Sequence, residues 1–323
     1  MYTRRFYQIP RLQLAPLDTP IEKMDRLEKA IDGSPSLFIK RDDFIGPLVW
    51  GNKLRKLEYS FAKARQEGAD TVITCGAVQS NHARTTAMVA RRLGLRCILV
   101  LNGEEPDVPQ ANYLISKMMG VDIRLVPNKE DRPPVMVEVA EEVRSKGGNP
   151  FIIPLGASDS NGTPGFVNAM YELKKQQENL GIRFSDIVVS TSSGGTQGGL
   201  EAGKRIAGMH DIRITGISAD DTPEEIKQKA LKAANPIIEF TGLKPLLAEE
   251  LTVNDRFTGP GYGIPSPESE RAAEMFLGHE GILLDQTYTG KAAAGLIGLI
   301  EEGYFDKKDI VLFWHTGGLV NLF

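Results

Sequence analysis

The segment "DIVVSTSSGGTQGGLEAGKRIAG", residues 186–208, joins the patterns that decide the fold. Its first part, 186–192, is a short run with β-branched residues, which is typical of a strand buried on both faces. Glycines follow, and the helical stretch 194–208 comes after them. A strand that leads through a glycine-rich turn into a helix predicts one unit of a parallel α/β sheet.

The same alternation recurs along the chain and predicts an α/β protein with two open, twisted, mostly parallel sheets flanked by helices. The units fall into two clusters, which predict a large domain from 1–53 plus 163–323 and a small domain from 54–162. The predicted strands lie at 70–76, 96–101, 121–126, 150–156, 186–192, 212–218, 281–285 and 309–318.

Composition indicates a globular chain with a sizeable core. Of 323 residues 41% are hydrophobic and 25% are charged, and the net charge is 38 − 42 = −4. This charge gives no general attraction to nucleic acid or to an anionic membrane. We find no apolar run of membrane-spanning length and no secretory signal, so we expect a cytoplasmic protein. Cys75 and Cys97 are expected to be buried thiols, and no His/Cys cluster has the spacing of a metal site.

Two glycine or polar stretches follow predicted strands, where ligands bind in open α/β sheets. The first, "SNH", comprises Ser80, Asn81 and His82. It either caps a helix or binds an anion at the helix start. The second, "SGGTQGGL" at 193–200, is either a tight turn or a phosphate site. It contains no Lys or Arg, which favours a phosphate monoester held by neutral donors.

Other strand ends carry Tyr288 with Thr289 and His315 with Thr316, and Tyr262 lies in the loop "GPGYGIP". Tyrosines are commonly core or surface residues, but polar clusters at several strand ends favour a site.

A different helix start, "WGNKLRKLEY" at 50–59, carries three basic residues where cations are unfavourable by roughly 0.3–1 kcal/mol each. Asn52 is the predicted cap. Lys53 is the candidate reactive amine. Arg55 and Lys56 either lie on solvated faces or pair with nearby acids.

Five motifs resemble those of the D-cysteine desulfhydrase and 1-aminocyclopropane-1-carboxylate (ACC) deaminase family, which has the tryptophan synthase β-like fold (fold type II). The motifs are "KRDDFIGPLVWGNKLRKLEY", "GAVQSNHAR", "GPGYGIP", "GILLDQTYTGKAAAGL" and "LFWHTGG". The resemblance implies pyridoxal 5′-phosphate as cofactor, Lys53 as its Schiff-base lysine and a homodimer. It also implies that the cofactor phosphate is held by Ser193, Gly194, Gly195 and Thr196.

The resemblance further implies that Ser80, Asn81 and His82 hold the substrate carboxylate, with Asn81 near the 3′-oxygen of the cofactor. Tyr262 and Tyr288 would face the substrate, and Ser80 joins them and Lys53 among the implied catalytic residues. Either Thr289 or Thr316 would meet the pyridine nitrogen.

"SNH", the pair Tyr288-Thr289 and "HTGG" look like the desulfhydrase branch, since ACC deaminases generally carry "SNQ", a Tyr-Glu pair and "HLGG". We therefore expect a lyase that converts D-cysteine to pyruvate, ammonia and hydrogen sulfide. The alternatives are ACC deaminase, L-cysteate sulfo-lyase and a non-catalytic metabolite-binding protein. The stretch "PLVWGNK" departs from the family pattern, so Trp50 is expected to reshape the entrance.

Overall fold

A computed structural model describes residues 5–46 and 50–323. In that part of the chain the strands form one sheet in the order β1-β2-β10-β7-β8-β9 and another in the order β5-β4-β3-β6. Their bounds are β1 Ile21–Lys23, β2 Ser36–Arg41, β3 Thr71–Ala77, β4 Arg96–Asn102, β5 Asp122–Val126, β6 Pro150–Ile153, β7 Asp186–Thr191, β8 Arg213–Ser218, β9 Thr252–Asn254 and β10 Ile310–His315.

Helices connect successive strands and cover the faces of both sheets. Their bounds are α1 Asp25–Ala30, α2 Lys53–Gln66, α3 Asn81–Arg92, α4 Ala111–Met118, α5 Arg132–Ser145, α6 Pro164–Leu180, α7 Gly195–Ala207, α8 Pro223–Thr241, α9 Pro267–Glu280 and α10 Thr289–Glu301. Short 3₁₀ turns lie between some of these elements, including Leu319–Leu322 at the C-terminal end.

Every strand pair is parallel except β1 with β2. Parallel strands buried on both faces explain the nearly continuous apolar runs, such as β7, all six residues of which are buried. The predicted fold class is therefore confirmed. The domain bounds stay a prediction, with which the strands of the smaller sheet agree, since they lie between 71 and 153.

The strand predicted at 281–285 is wrong. That segment pairs with no described strand, because β10 already has β2 on one edge and β7 on the other. Sequence patterning missed β2, which lies in the N-terminal stretch expected only to join the large domain. Helix α8 continues through Pro236 to Thr241, since buried Ile237 and Ile238 extend its apolar face.

Cys75 and Cys97 are buried free thiols, as predicted. None of the described helices is both long enough and apolar enough to cross a membrane.

Candidate active site

A cavity of about 600 Å³ lies where the carboxyl ends of β3, β7, β8 and β10 meet the starts of α2, α3 and α7. This volume lies within the range of small-molecule and cofactor sites. The structure brings together most of the predicted site residues on its wall, namely Lys53, Ser80, Asn81, His82, Ser193, Gly194, Thr196, Tyr262, Tyr288 and Thr316. Gly195 and Thr289 are not on the wall.

Lys53 is the first residue of α2 and enters the cavity from a tight connection. Gly51, with φ +61, lies against the end of β10, where a Cβ would be 3.1 Å from the carbonyl oxygen of Thr316. The next residue, Asn52, donates its backbone N–H to that same oxygen at 3.2 Å. The lysine is therefore fixed to the large sheet by backbone contacts.

Asn52 occupies the predicted N-cap position of α2, but its side chain makes no capping hydrogen bond. Its Nδ2 instead donates to Thr196 Oγ1 at 3.5 Å. Burial lowers the pKa of Lys53 to about 8, and the negative charge of Asp285 partly opposes this. About a tenth of the amine is therefore neutral at pH 7, whereas an ordinary lysine is almost fully protonated there.

The other two basic residues of this helix start are buried, so the solvated interpretation is wrong for both. Arg55 forms ion pairs with Asp42 and Glu172. Lys56 Nζ donates to Ser158 Oγ at 3.1 Å. Burial, and then the charge of Lys53, hold the pKa of Lys56 well below its ordinary value.

The segment "SNH" starts α3, and Ser80 is its cap, because Ser80 Oγ accepts from the backbone N–H of Ala83 at 3.2 Å. His82 Nε2 lies 2.8 Å from Thr74 Oγ1. Since Thr74 donates its hydroxyl proton to the carbonyl of Ile153 at 2.8 Å, the histidine must donate in this contact.

The ring of His82 is therefore neutral, with its proton on Nε2. Burial and the nearby charges of Lys56 and Lys53 hold its pKa well below the ordinary value. Nδ1 is buried and finds no hydrogen-bond partner among residues 5–46 and 50–323. It follows that His82 can serve a carboxylate through its backbone N–H but not through a ring donor.

The glycine-rich segment fits a phosphate monoester. Gly194 has φ +74 and cannot carry a side chain, since a Cβ would lie 2.6 Å from the backbone nitrogen of Ala230. Helix α7 begins at the next residue and lacks an acid in its first turn, so its first N–H groups are available to an anion. Ser193 and Thr196 add hydroxyls on the cavity wall.

Two further hydroxyls support a polar ligand at this end of the cavity. Ser190 Oγ and Thr191 Oγ1, from the end of β7, are buried in the cavity wall and lack a hydrogen-bond partner in the described chain. Buried polar atoms are nearly always paired, so they are consistent with a ligand bound here. Next to the glycine-rich segment, Ser193 Oγ lies 2.8 Å from Ser158 Oγ, which also accepts a hydrogen bond from Lys56 Nζ.

Tyr262 and Tyr288 form a pair at the other side of the cavity, with their hydroxyl oxygens 2.5 Å apart. The ring centre of Tyr288 lies 5.9 Å from Lys53 Nζ. Partial burial raises the pKa of Tyr262, whose side chain is still 37% exposed, to about 12. Burial, and then the neighbouring Tyr262, hold the pKa of Tyr288 well above its ordinary value. Both hydroxyls are therefore protonated at neutral pH and can donate a proton.

The buried carboxylate of Asp285 fixes the backbone around Tyr288. It accepts from the backbone N–H groups of Thr287, Tyr288 and Thr289 at 2.8–3.1 Å. It also accepts from Thr289 Oγ1 at 2.7 Å. The hydroxyl of Thr289 is therefore bound to Asp285 at the start of α10, whereas Thr316 lines the cavity.

Sequence reasoning missed the charged groups on the cavity wall that come from the loops after β5 and β8. Asp221 pairs with Lys229 and lies 3.9 Å from Lys129. Asp220 is exposed beside it and shares the same wall. The strand-end rule could have found both aspartates, because they follow β8 directly.

Trp50 is only 6% exposed and lies on the cavity wall. Its carbonyl accepts from Thr85 Oγ1 at 3.2 Å, and the guanidinium of Arg92 lies 5.3 Å from its ring centre. Its effect on the entrance stays a prediction, and the preceding residues 47–49 lie outside the described residues.

Comparison with known proteins gives the same assignment. Residues 12–317 match the family described as pyridoxal-phosphate dependent enzyme. The D-cysteine desulfhydrase of Yersinia pestis (strain Pestoides F) is 37% identical over 327 residues, covering 99% of this chain and 97% of that protein. The 1-aminocyclopropane-1-carboxylate deaminase of Methylobacterium nodulans (strain LMG 21967 / CNCM I-2342 / ORS 2060) is 37% identical over 313 residues, covering 93% and 92%.

The crystal structure of an ACC deaminase homologue superposes with a TM-score of 0.89 at 36% identity, covering 100% of this chain and 96% of that one. The fold thus defines a pyridoxal-phosphate enzyme of the tryptophan synthase β-like class. The chain belongs to the family of pyridoxal-phosphate dependent enzymes, in the group that includes proteins named D-cysteine desulfhydrase and ACC deaminase. The predicted family and cofactor are confirmed, and the non-catalytic alternative is set aside.

Proposed function

We propose that this enzyme catalyses the α,β-elimination of D-cysteine to pyruvate, ammonia and hydrogen sulfide. The observation that best supports this is the neutral side chain of Thr316 on the cavity wall. The acid of the neighbouring segment, Asp285, uses its oxygens to cap α10. A hydroxyl stabilises a protonated pyridine less than a carboxylate would. A ring that is less stabilised in its protonated form is a weaker electron sink. It is sufficient for a substrate such as D-cysteine, whose leaving group carries negative charge away.

The walls of the cavity offer a place for each part of pyridoxal phosphate. Ser193, Gly194, Gly195 and Thr196 would hold the phosphate with the N–H groups of α7, Asn81 would face the 3′-oxygen, and Thr316 would face the pyridine nitrogen. When bound, the cofactor delocalises the electron pair that remains when Cα loses its proton. The protein supplies position, charge and proton transfer.

The substrate carboxylate would bind at the start of α3, where Ser80, Asn81 and the backbone of His82 meet the cavity. Lys53 Nζ then removes the Cα proton, for which its lowered pKa is suited. The hydroxyl pair of Tyr262 and Tyr288 donates a proton to sulfur as the Cβ–S bond breaks. With one water consumed, D-cysteine yields pyruvate, ammonia and hydrogen sulfide.

The test is a single assay of the purified yellow enzyme with D-cysteine, L-cysteine, ACC, L-cysteate and D-serine, in which pyruvate, sulfide and 2-oxobutanoate are measured. We expect sulfide and pyruvate in equal amounts from D-cysteine, and neither from the Lys53→Ala variant. Pyruvate from L-cysteate but not from D-cysteine would overturn the proposal.

ACC deaminase is the second candidate, because a relative of that name shares 37% identity with this chain. The same assay separates the two, since ACC would give 2-oxobutanoate. A homodimer and a cytoplasmic location stay predictions from the resemblance and from the sequence.

A further inference from the structure

Arg84 is a buried arginine that has no carboxylate partner. It lies on the first turn of α3, is 2% exposed and lines the cavity. Among the described residues, no acid lies within 4 Å of its guanidinium, and the carboxylates of the cavity wall belong to other elements. Burial without such a partner lowers the pKa of Arg84 to about 10, so its charge persists at neutral pH.

The hydrogen bonds of Arg84 go to two amide side chains and, through Nη1, to Met88 Sδ at 3.8 Å, and all three acceptors are uncharged. Its Nε donates to Asn112 Oδ1 at 2.8 Å and its Nη2 donates to Asn81 Oδ1 at 3.2 Å. Asn112 Nδ2 donates to the same Asn81 oxygen at 2.9 Å. Because two donors hold that oxygen, the Nδ2 group of Asn81 must point away from Arg84 and Asn112, in the plane of the amide.

The chain end completes this cluster. Asn321, in the turn Leu319–Leu322, accepts from Asn112 Nδ2 at 2.6 Å. Asn112 Nδ2 also lies 2.9 Å from the carbonyl of Gln79, which precedes α3. The orientation of Asn81 is therefore fixed from three segments that are far apart in the sequence.

An isolated buried cation is costly unless something compensates it. The other ionisable groups near this wall add no negative charge, since Lys53 and Lys56 are basic and His82 is neutral. The neutral oxygens of Asn81 and Asn112 solvate the guanidinium, and an anionic ligand at this wall would add the negative charge that its immediate neighbours do not supply.

We propose that Arg84 is a positioning residue: it turns the amide nitrogen of Asn81 toward the cavity and places a positive charge behind it, so that this wall favours an anionic ligand oxygen. In the bound cofactor that oxygen is the 3′-oxygen. The inference rests on the proposed placement of Asn81 in the cofactor site and not on the choice of substrate.

The test compares how tightly the apo-enzyme binds pyridoxal phosphate and its 3-deoxy analogue, which lacks this oxygen. The ratio of the two dissociation constants isolates the interaction, because a general loss of packing would weaken both ligands alike. Arg84→Met keeps the length of the side chain and removes its charge. We expect it to reduce the preference for pyridoxal phosphate by about tenfold, the scale of one hydrogen bond to a charged group.

Asn112→Asp is the second variant, because it places a carboxylate beside the guanidinium without leaving a cavity. It also removes the Nδ2 donor to Asn81 Oδ1, so it disturbs both the charge and the orientation on which the proposal depends. This variant should also reduce the preference for pyridoxal phosphate over the 3-deoxy analogue. If Arg84→Met does not fold, Asn112→Asp alone tests the proposal. Arg84→Lys should recover part of the preference. The control is Arg91→Met, an exposed residue near the other end of α3, which should leave the ratio unchanged.

The inference is overturned if Arg84→Met, or Asn112→Asp where the first does not fold, keeps the wild-type ratio within about twofold. Because no substrate is present, failure to convert D-cysteine would leave this result unaffected.

Discussion

Arg55 and Asp42 form a fully buried, two-point ion pair, with Nη2 2.7 Å from Oδ1 and Nε 2.8 Å from Oδ2. Asp42 also accepts from Trp314 Nε1 at 2.8 Å, and Arg55 reaches Glu172 on α6 at 2.7 Å. Burial alone would raise the pKa of Asp42, but the charge and hydrogen bonds of Arg55, together with Lys40 and Trp314, outweigh it and lower that pKa. Since Arg55 stands two residues after Lys53, this cluster anchors the start of α2 to the large sheet.

Arg55→Met should destabilise the fold strongly, because it leaves Asp42 and Glu172 as buried carboxylates with a lost partner. Breaking a buried pair in this way costs roughly 3–5 kcal/mol. Urea unfolding followed by tryptophan fluorescence measures the loss, and Trp314 lies in the affected cluster. Lys63→Met on the same helix is the control: its pair with Glu67 is exposed, so a change of only about 0–1 kcal/mol is expected. Equal losses in the two variants would contradict the anchoring role.

Lys53→Ala should abolish the absorbance band of lysine-bound pyridoxal phosphate, since Lys53 is the candidate Schiff-base amine. Phosphate contacts would remain, so the variant should still retain cofactor that is removed by dialysis more readily than in the wild type. Lys63→Ala is the matched control and should keep the band, because that side chain is exposed. A purified Lys53→Ala protein that still shows the band would refute the assignment.

The attachment of pyridoxal phosphate to the apo-enzyme should depend on pH through the pKa of Lys53, which burial lowers to about 8. Only the neutral amine attacks the aldehyde, so the rate should rise with pH up to about 8 and level off above it. A lysine with the ordinary pKa of 10.5 would give a rate that still rises about tenfold per pH unit at pH 9. Stopped-flow absorbance measures the profile, and a rate still rising steeply above pH 9 would contradict the lowered pKa.

Much of the site could be predicted because it follows local rules. Polar residues after parallel strands converge at one edge of a sheet, so Ser80, Ser193 and Thr316 could be placed from their strands alone. Helix patterning left open whether Arg55 is solvated or pairs with an acid, since one partner, Asp42, directly follows β2 and the other, Glu172, is 117 positions away. For the same reason the cluster of Arg84 with Asn112 was not predictable.

The wrong strand at 281–285 has a related cause. An apolar run predicts burial, but whether it joins a sheet depends on pairing with another strand, and 281–285 pairs with no described strand, while β10 lies between β2 and β7. Strand β2 itself lies in a stretch whose place in the sheet is set by long-range pairing, with Phe38 opposite Leu312. Local periodicity carries no information on either point.

Tyr288→Phe should separate the two proton transfers of the proposed reaction. Because the hydroxyls of Tyr262 and Tyr288 are 2.5 Å apart, removing one leaves the other without its partner. We expect kcat with D-cysteine to fall by about 10²–10⁴ when the proton donor to sulfur is lost. Tyr304→Phe, in which the ring is partly exposed, should keep wild-type kcat.

The sharper readout for this variant is exchange of the Cα hydrogen of D-cysteine in deuterated water, followed by NMR. Lys53 is untouched in Tyr288→Phe, so exchange should continue while sulfide release slows, whereas Lys53→Ala should lose both. Loss of exchange together with sulfide release in Tyr288→Phe would show that the tyrosine pair acts at Cα or in binding. In that case the assignment of the pair to the leaving group would be wrong, while the assignment of Lys53 would still stand on its own band and pH profile.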